Sequence, residues 1–263
     1  MNIKPLQRGF TLIELMISLL IALFLLGGLV TLVGAMKITS GTEDNLSQMQ
    51  DNERLAMSLI TDVVQSAGYF PDPHTSLNLA FPPLTTTSPI PDVFNIQQSV
   101  NGTGAGVAVS PGDTLTVRYQ TSGTDGVINC LGATSAVPVT FVNQFSINIA
   151  TGNLQCILTI INTFGVVVSV TAADLVSNVS NFQVYYGLKT NAAQATLSAD
   201  SYLDANQVSA LFQAPDSGWT QIQTVKILLT FTNLLANQAG QAAVPTILFM
   251  RVVDVMNLTG VKS

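Results

Sequence analysis

The feature that most constrains this chain is an uninterrupted apolar segment near its N-terminus. Leu15 to Met36 is a run of 22 residues that is rich in leucine and contains no charged residue. About 20 apolar residues in a helix span the hydrocarbon core of a bilayer. The sequence therefore predicts one membrane-spanning helix, and no second run of this kind follows it.

The charges that flank the run orient the predicted helix. Lys4 and Arg8 precede it, and no acidic residue accompanies them. Because positive flanks stay in the cytoplasm, we expect the rest of the chain to lie on the periplasmic side of an inner membrane. Cys130 and Cys156 both belong to that exported part, where oxidising conditions let a disulfide persist. We therefore expect the two cysteines to pair.

Three kinds of N-terminal segment have to be separated: a cleaved signal peptide, a permanent anchor, and a leader cut before the apolar run. An ordinary signal has an apolar stretch of about 7 to 15 residues and a small-residue cleavage site. This stretch is longer, and Val33 to Ala35 is a poor site. Glu14 stands where the apolar run begins, and an acidic residue inside a membrane is a functional hypothesis by default. We expect another charge to pair with it.

The residues from Arg8 to Leu15, RGFTLIEL, resemble the class III signal of type IV prepilins and type II secretion pseudopilins. The resemblance implies that a prepilin peptidase cuts after Gly9, removes residues 1–9 as a leader, and methylates the new amine of Phe10. Glu14 is four residues from Phe10, on the same helix face. We expect Glu14 to pair with a neighbouring subunit's N-terminal amine during assembly; the alternative is an acid that snorkels to the interface.

The predicted helix continues beyond the membrane to give one element over residues 10–67. Its second half carries apolar residues at helical spacing and charges elsewhere, and Gly68 is the expected stop. The apolar face is formed by Ala56, Leu59, Ile60, Val63 and Ala67. Glycines at 27, 28, 34 and 41 indicate either local unwinding or close approach of neighbouring helices, and both readings stay open.

Residues 68–263 predict a β-rich head. The stretch up to about residue 106 is rich in Pro, Thr, Ser and Asn and predicts a long loop that ends in the flexible glycine stretch Asn101–Gly106. We expect a helical turn at Ala172–Val179 and a short helix at Asp204–Phe212. Strands are predicted at Asp113–Tyr119, Val139–Ile149, Leu154–Asn162, Val166–Thr171, Phe182–Tyr186, Trp219–Phe231 and Thr246–Met256. The fold class is α+β, with a mainly antiparallel sheet packed on the second half of the long helix.

Further motifs narrow the resemblance to minor pilins of the PilW type and, more distantly, to J-type minor pseudopilins. They are NERLAM at Asn52–Met57, Ala67–Tyr69, Cys130–Gly132, Leu154–Cys156, Leu175–Val179 running into Val184–Gly187, and Trp219 before Val225–Ile227. The order of these motifs along the chain is more specific than any one of them. The resemblance implies a pilin-like fold over nearly the whole sequence.

The function that this resemblance implies is structural. We expect a minor pilin that takes part in initiating and assembling a type IV pilus, within a complex of minor pilins at the tip. The implied partners are the prepilin peptidase, other minor pilins, the major pilin and the inner-membrane assembly platform. The subunit is expected to wait in the inner membrane by one helix, with its head in the periplasm, and to enter the pilus afterwards.

Other function classes have less support from the residues. A minor pseudopilin of a type II secretion system is the first alternative, and a pilus-associated adhesin subunit is the second. No catalytic constellation, cofactor motif or metal-ligand spacing is present, and His74 is the only histidine, so we do not expect an enzyme. Nine Lys and Arg against fifteen Asp and Glu leave a net charge of −6, which argues against nucleic-acid binding.

N-terminal sequencing of the protein from cells that contain a prepilin peptidase should begin at methylated Phe10. Gly9→Val should block this processing, because a branched side chain at the cut hinders approach of the peptidase. A mature protein that begins at Met36 would instead establish an ordinary signal peptide and contradict the prepilin interpretation.

Overall fold

A computed structural model describes residues 11–84, 93–104, 106, 112–189, 199–211, 218–233, 236 and 245–256. The chain divides into two compact units, residues 1–48 and 49–263. Helix α1 (Leu12–Gln65) begins in the first unit and ends in the second. The expected long helix is therefore present, two residues shorter at its C-terminal end than the sequence predicts.

The part of α1 that belongs to the second unit packs by one face against the head. Ala56, Ile60, Val63 and Ala67 are buried as predicted, whereas Leu59 is only half-buried. Met57 and Val64 are also buried, which widens the apolar face beyond the predicted stripe. Gly68 follows the helix with φ of 74°, and its N–H donates to the Arg118 carbonyl. This conformation suits glycine and directs the chain away from the helix axis.

The described residues of the head form two antiparallel sheets. The five-stranded sheet has the order β1 (Val100–Thr103), β2 (Thr114–Thr121), β3 (Val139–Asn148), β4 (Asn153–Asn162) and β5 (Val167–Val176). The four-stranded sheet has the order β7 (Ser201–Leu203), β6 (Val179–Leu188), β8 (Ile222–Thr232) and β9 (Thr246–Asp254). Two short α-helices, α2 (Leu77–Ala80) and α3 (Ala205–Leu211), and a 3-10 helix at Gly218–Gln221 lie in the connections of the described residues.

One main core joins α1 to strands of both sheets. It contains Met57 and Ile60 from the helix together with Phe141 and Phe145 from β3 and Phe231 from β8, all fully buried. The α+β fold class with a mainly antiparallel β head is confirmed. The head's hydrophobic stabilisation comes from closing helix and strands over this shared core.

A buried carboxylate links the two sheets at the start of β2. The Asp113 N–H donates to the Phe182 carbonyl at 2.7 Å, and the Val184 N–H donates to Asp113 Oδ2 at 2.9 Å. Burial raises the pKa of Asp113, and the hydrogen bonds from the backbone N–H groups of Val184 and Gly106 oppose that rise. Asp113 thus bonds to the backbone groups of Phe182 and Val184 in β6, which lie beyond the stretch of β6 that pairs with the short strand β7.

Three sequence expectations for the head are wrong. Trp219 does not begin the strand predicted at Trp219–Phe231, because Gly218–Gln221 form a 3-10 helix and β8 begins at Ile222. The segment Ala172–Val179 is not a helical turn, because β5 continues to Val176 while pairing with β4, and β6 begins at Val179. The glycine stretch from Asn101 is not wholly a loop, since Asn101 to Thr103 belong to β1. A Cβ added to Gly102 would collide with the backbone carbonyl of Thr114 and with the Tyr186 hydroxyl, so glycine is required there by close approach.

The outer face of the five-stranded sheet holds a buried arginine. Arg118 on β2 is 1% exposed, and its guanidinium lies 4.8 Å from the ring centroid of Phe94 and 5.3 Å from that of Phe81. It donates to the carbonyls of Pro82 at 2.7 Å and Asn95 at 3.0 Å.

Further bonds reach the carbonyls of Phe81, at 3.3 Å, and Gln98. Burial lowers the pKa of Arg118 to about 9, so the side chain keeps its charge at neutral pH. The hydrogen bonds of Arg118 therefore hold the described parts of the segment between α1 and β1 against the five-stranded sheet.

We expect Arg118→Lys to lower the free energy of unfolding by about 3 kcal/mol, because an ammonium cannot reach carbonyls that a planar guanidinium bonds in several directions. Denaturant unfolding of the detergent-solubilised chain, followed by the fluorescence of the single tryptophan, Trp219, measures this change. Arg251→Lys is the control, since Arg251 is exposed and donates to Thr61 Oγ1 at 3.4 Å. Equal effects of the two substitutions would contradict the role given to Arg118.

Candidate functional site

The candidate site is the apolar part of α1 that lies in the first unit. Every residue from Thr11 to Ser40 is exposed, among them large apolar side chains such as Phe24 at 83% and Leu12 at 78%. Within the described residues it is the one helix long and apolar enough to cross a membrane. A surface this apolar is stable in lipid or against other helices and is not stable in water.

Polar side chains inside this segment bond to their own helix. The hydroxyl of Ser18 donates to the Glu14 carbonyl at 2.7 Å, that of Thr31 to the Gly28 carbonyl at 2.8 Å, and that of Thr39 to the Ala35 carbonyl at 3.0 Å. A hydroxyl satisfied in this way costs little in a bilayer, where water is absent. These residues are therefore compatible with a membrane-spanning helix.

Glu14 takes part in a capping box at the start of α1. Its carboxylate Oε2 accepts from the Thr11 N–H at 3.2 Å and from the Thr11 hydroxyl at 3.0 Å. The Glu14 N–H in turn donates to Thr11 Oγ1 at 3.4 Å. Reciprocal bonds between the cap residue and the third helical residue satisfy backbone groups that the helix itself leaves open.

Sequence reasoning identified Glu14 but missed Thr11 as its partner within the chain. The signal is present in the sequence, since Thr11 and Glu14 have the Thr-x-x-Glu spacing of a capping box ahead of an apolar run. The predicted cleavage and methylation residues, Gly9 and Phe10, lie outside the described residues. The contact expected between Glu14 and a neighbour's amine involves a second chain and stays a prediction.

The glycines of α1 do not interrupt it. Residues 12 to 65 are helical throughout, including the positions of Gly27, Gly28, Gly34 and Gly41. A Cβ at any of the four would meet nothing within 4 Å. Each glycine therefore leaves a shallow site on the helix surface that another helix can approach closely.

The disulfide is the second feature that sequence reasoning expected, and the structure contains it. Cys130 and Cys156 are joined, with a Cα–Cα distance of 6.4 Å. Both are fully buried, and the Cys130 N–H donates to Asn143 Oδ1 at 2.9 Å. The bond connects the segment between β2 and β3 to the middle of β4, so it holds a connection that has little regular structure of its own.

Polar residues elsewhere in the head form local turn contacts. Asp72 accepts from the His74 N–H at 3.0 Å and from the Thr75 hydroxyl at 3.0 Å. In the part of the chain that the structure describes, no group of three His, Cys, Asp or Glu residues could hold a metal ion. The hydrogen bonds around Asp72 fix a loop after α1.

Two known protein-family models match the chain, one near its N-terminus and one over the C-terminal part of the head. The prokaryotic N-terminal methylation motif matches residues 4–30, which include the start of α1. The family of type IV pilus-assembly protein W matches residues 150–257, from the turn before β4 past the end of β9. The two matches together support a type IV pilin of the PilW type. No curated protein matches the chain.

Family and structure agree about the organisation of this pilin. The methylation motif covers the capping box and most of the exposed apolar helix, whereas the pilus-assembly model covers the strands from β4 to β9. The apolar helix anchors the pilin in a membrane, and the motif implies processing by prepilin peptidase and assembly with other pilins.

Thiol labelling of the denatured, unreduced pilin should find no free cysteine. The double variant Cys130→Ser, Cys156→Ser should lose about 3 kcal/mol of stability, because the unfolded head is no longer cross-linked across the 26-residue separation. Wild-type protein that has been reduced and alkylated is the control and should unfold at the same denaturant concentration as the double variant. Labelling of both cysteines without prior reduction would show that the bond is absent in the cell.

Proposed function

We propose that this pilin is a minor subunit that helps to initiate type IV pilus assembly, in a complex with other minor pilins at the tip. The observation that carries the proposal is the exposed apolar part of α1, which the described residues of its own chain do not cover. Such a helix suits a subunit that moves from lipid into a bundle of similar helices. The head has its own core and disulfide, so it can fold before assembly.

Maturation in this proposal precedes assembly. Prepilin peptidase removes residues 1–9 after Gly9 and methylates Phe10, which leaves a chain that begins just before α1 and ends with the head. The methylation motif at residues 4–30 supports this order of events. The new amine then lies one residue before Thr11, at the N-terminal end of the capping box.

The proposed location before assembly is the inner membrane, with the head in the periplasm. Lys4 and Arg8 favour a cytoplasmic N-terminus, and a buried disulfide is consistent with an oxidising compartment. After assembly the subunit lies in the pilus, at its tip. Its further partners are the major pilin and the inner-membrane assembly platform.

Glu14 has a separate role in each state. In the single chain its Oε2 accepts from the N–H and hydroxyl of Thr11, which gives the carboxylate two hydrogen bonds at the membrane boundary. In the filament, a neighbour's Phe10 amine binds the same carboxylate. Because an ionic bond between Glu14 and the amine is absent until a second subunit arrives, it favours assembly without favouring head folding.

Three substitutions distinguish the effect of the Glu14 charge on assembly from the effect of its hydrogen bonds to Thr11. Glu14→Gln keeps an oxygen that can accept from Thr11 but removes the charge, Glu14→Val removes both, and Glu43→Val removes an exposed acid farther along α1. If the charge recruits neighbours, Glu14→Gln and Glu14→Val should both reduce cross-linking to other pilins at least tenfold, whereas Glu43→Val should not. Cross-linking that survives Glu14→Gln would assign Glu14 to the cap alone.

Deletion of the gene tests whether this subunit serves a type IV pilus or a type II secretion system. The family match to a pilus-assembly protein favours a pilus over a type II secretion pseudopilus. Deletion should abolish surface pili and leave exoprotein secretion intact. Loss of secretion with normal pili would support the pseudopilin alternative, and normal pili that no longer adhere would support an adhesin.

A further inference from the structure

The five-stranded sheet has two very different edges. β1 has four residues at one edge, whereas β5 has ten at the other. Among the described residues, β5 pairs with β4 alone. Its outer side therefore presents a row of backbone N–H and C=O groups that no strand of the described head pairs.

Both faces of β5 are open as well. Residues 168 to 172 are all exposed, including Val168 at 62% and Val170 at 40%. Strands rich in valine and threonine normally bury at least one face against a core. The exposed residues of β5 are thus of the types, valine and threonine, that are usual in a strand with a buried face, although here neither face is buried.

The usual protections of a strand edge are weak here. Natural edge strands carry charges, prolines or bulges that discourage pairing. From Val166 to Ala173 there is no charged residue and no proline. The register shifts fall near the two ends of the strand and leave Ser169 to Asp174 in continuous register with β4.

We propose that the outer edge of β5 binds an extended, uncharged segment of another pilin subunit, which adds a strand to the five-stranded sheet. This inference rests on the proposed function, which supplies the neighbouring subunits. The bound segment would form main-chain hydrogen bonds with β5, as in other cases where a peptide extends a sheet.

The chemistry of the edge indicates what it binds. Unpaired backbone groups require a backbone in extended conformation. The side chains from Ser169 to Ala173 are small and uncharged, so they offer no ionic partner to a charged side chain on the added strand. Phe164, 88% exposed in the turn between β4 and β5, adds an aromatic contact at one end of the strand.

A different subunit is favoured over a second copy of this chain. Residues 68–263 contain nine Asp and five Lys or Arg, a net charge of −4, so two identical heads would bring like charges together. An uncharged or basic head of another pilin does not incur this repulsion. Pairing of identical β5 strands is therefore an outcome that the test has to distinguish.

The test uses a photoreactive amino acid at Val170 in the full chain, in cells that assemble pili. Irradiation should cross-link Val170 to another pilin, and mass spectrometry should map the adduct to an extended segment of that pilin. A second probe at Leu25, in the apolar part of α1, is read in parallel. It reports helix contacts with other pilins whether or not β5 binds a strand.

Lysine substitutions provide the matched comparison. Thr171→Lys places a charge on the proposed edge, and Thr134→Lys places the same charge at an exposed loop position of the head. Thr171→Lys should reduce the Val170 adduct at least tenfold, and Thr134→Lys should leave it unchanged. Protease resistance and a closed disulfide check that each variant is folded. Ala172→Lys, also at an exposed position, replaces Thr171→Lys if that variant is unfolded.

The two probes separate the possible failures. If Leu25 captures pilins while Val170 captures a second copy, lipid or nothing, the β5 inference is wrong and the proposed function stands. If neither probe captures a pilin, both are wrong. A Val170 adduct with another pilin that resists Thr171→Lys and Ala172→Lys would also overturn strand pairing, since a lysine on the edge should prevent it.

Discussion

An apolar helix surface that the described part of its own chain leaves uncovered is the constraint on which the rest of this molecule depends. The large apolar side chains between Leu12 and Ile38 are unfavourable in water, so they require lipid or neighbouring helices at every stage. The hydroxyls of Ser18, Thr31 and Thr39 bond to their own backbone, which makes either environment acceptable. Thr11 does the same for Glu14, so the acid is satisfied within a single chain.

A head attached to such a helix has to be stable by itself. Several of the contacts that stabilise it join segments that are distant in the sequence. Arg118 holds a long connection through carbonyl groups, Asp113 bridges β2 to β6, and the Cys130–Cys156 disulfide fixes another connection to β4. Each of the three is buried, so the connections are fastened from inside the head. By contrast, β5 is a long strand with little of its surface covered.

The sequence predicted those parts of the fold that local patterns determine. The apolar run, the amphipathic part of α1 and the long strands have clear periodicity, and the cysteines could be paired from compartment and number. The helical turn at Ala172–Val179 was wrong because alanines favour helix locally, while pairing with β4 decides the conformation.

Arg118 was missed for a related reason. In β2 it alternates with Val117 and Tyr119, which predicts a side chain facing water, and a distant loop covers that face instead. Non-local contacts of this kind leave little trace in a single sequence. The capping box is different, because the Thr-x-x-Glu spacing of Thr11 and Glu14 is visible in the sequence and was overlooked.

The central claim is that one polypeptide, helix and head together, passes from the membrane into a filament. Mass spectrometry of pili sheared from cells, with a peptide from the apolar part of α1 and a peptide from the head quantified together, tests it most directly. The account predicts equal molar amounts of the two peptides in the pili. Head peptides without the α1 peptide, or neither peptide in the pili while both remain in the membrane, would contradict it.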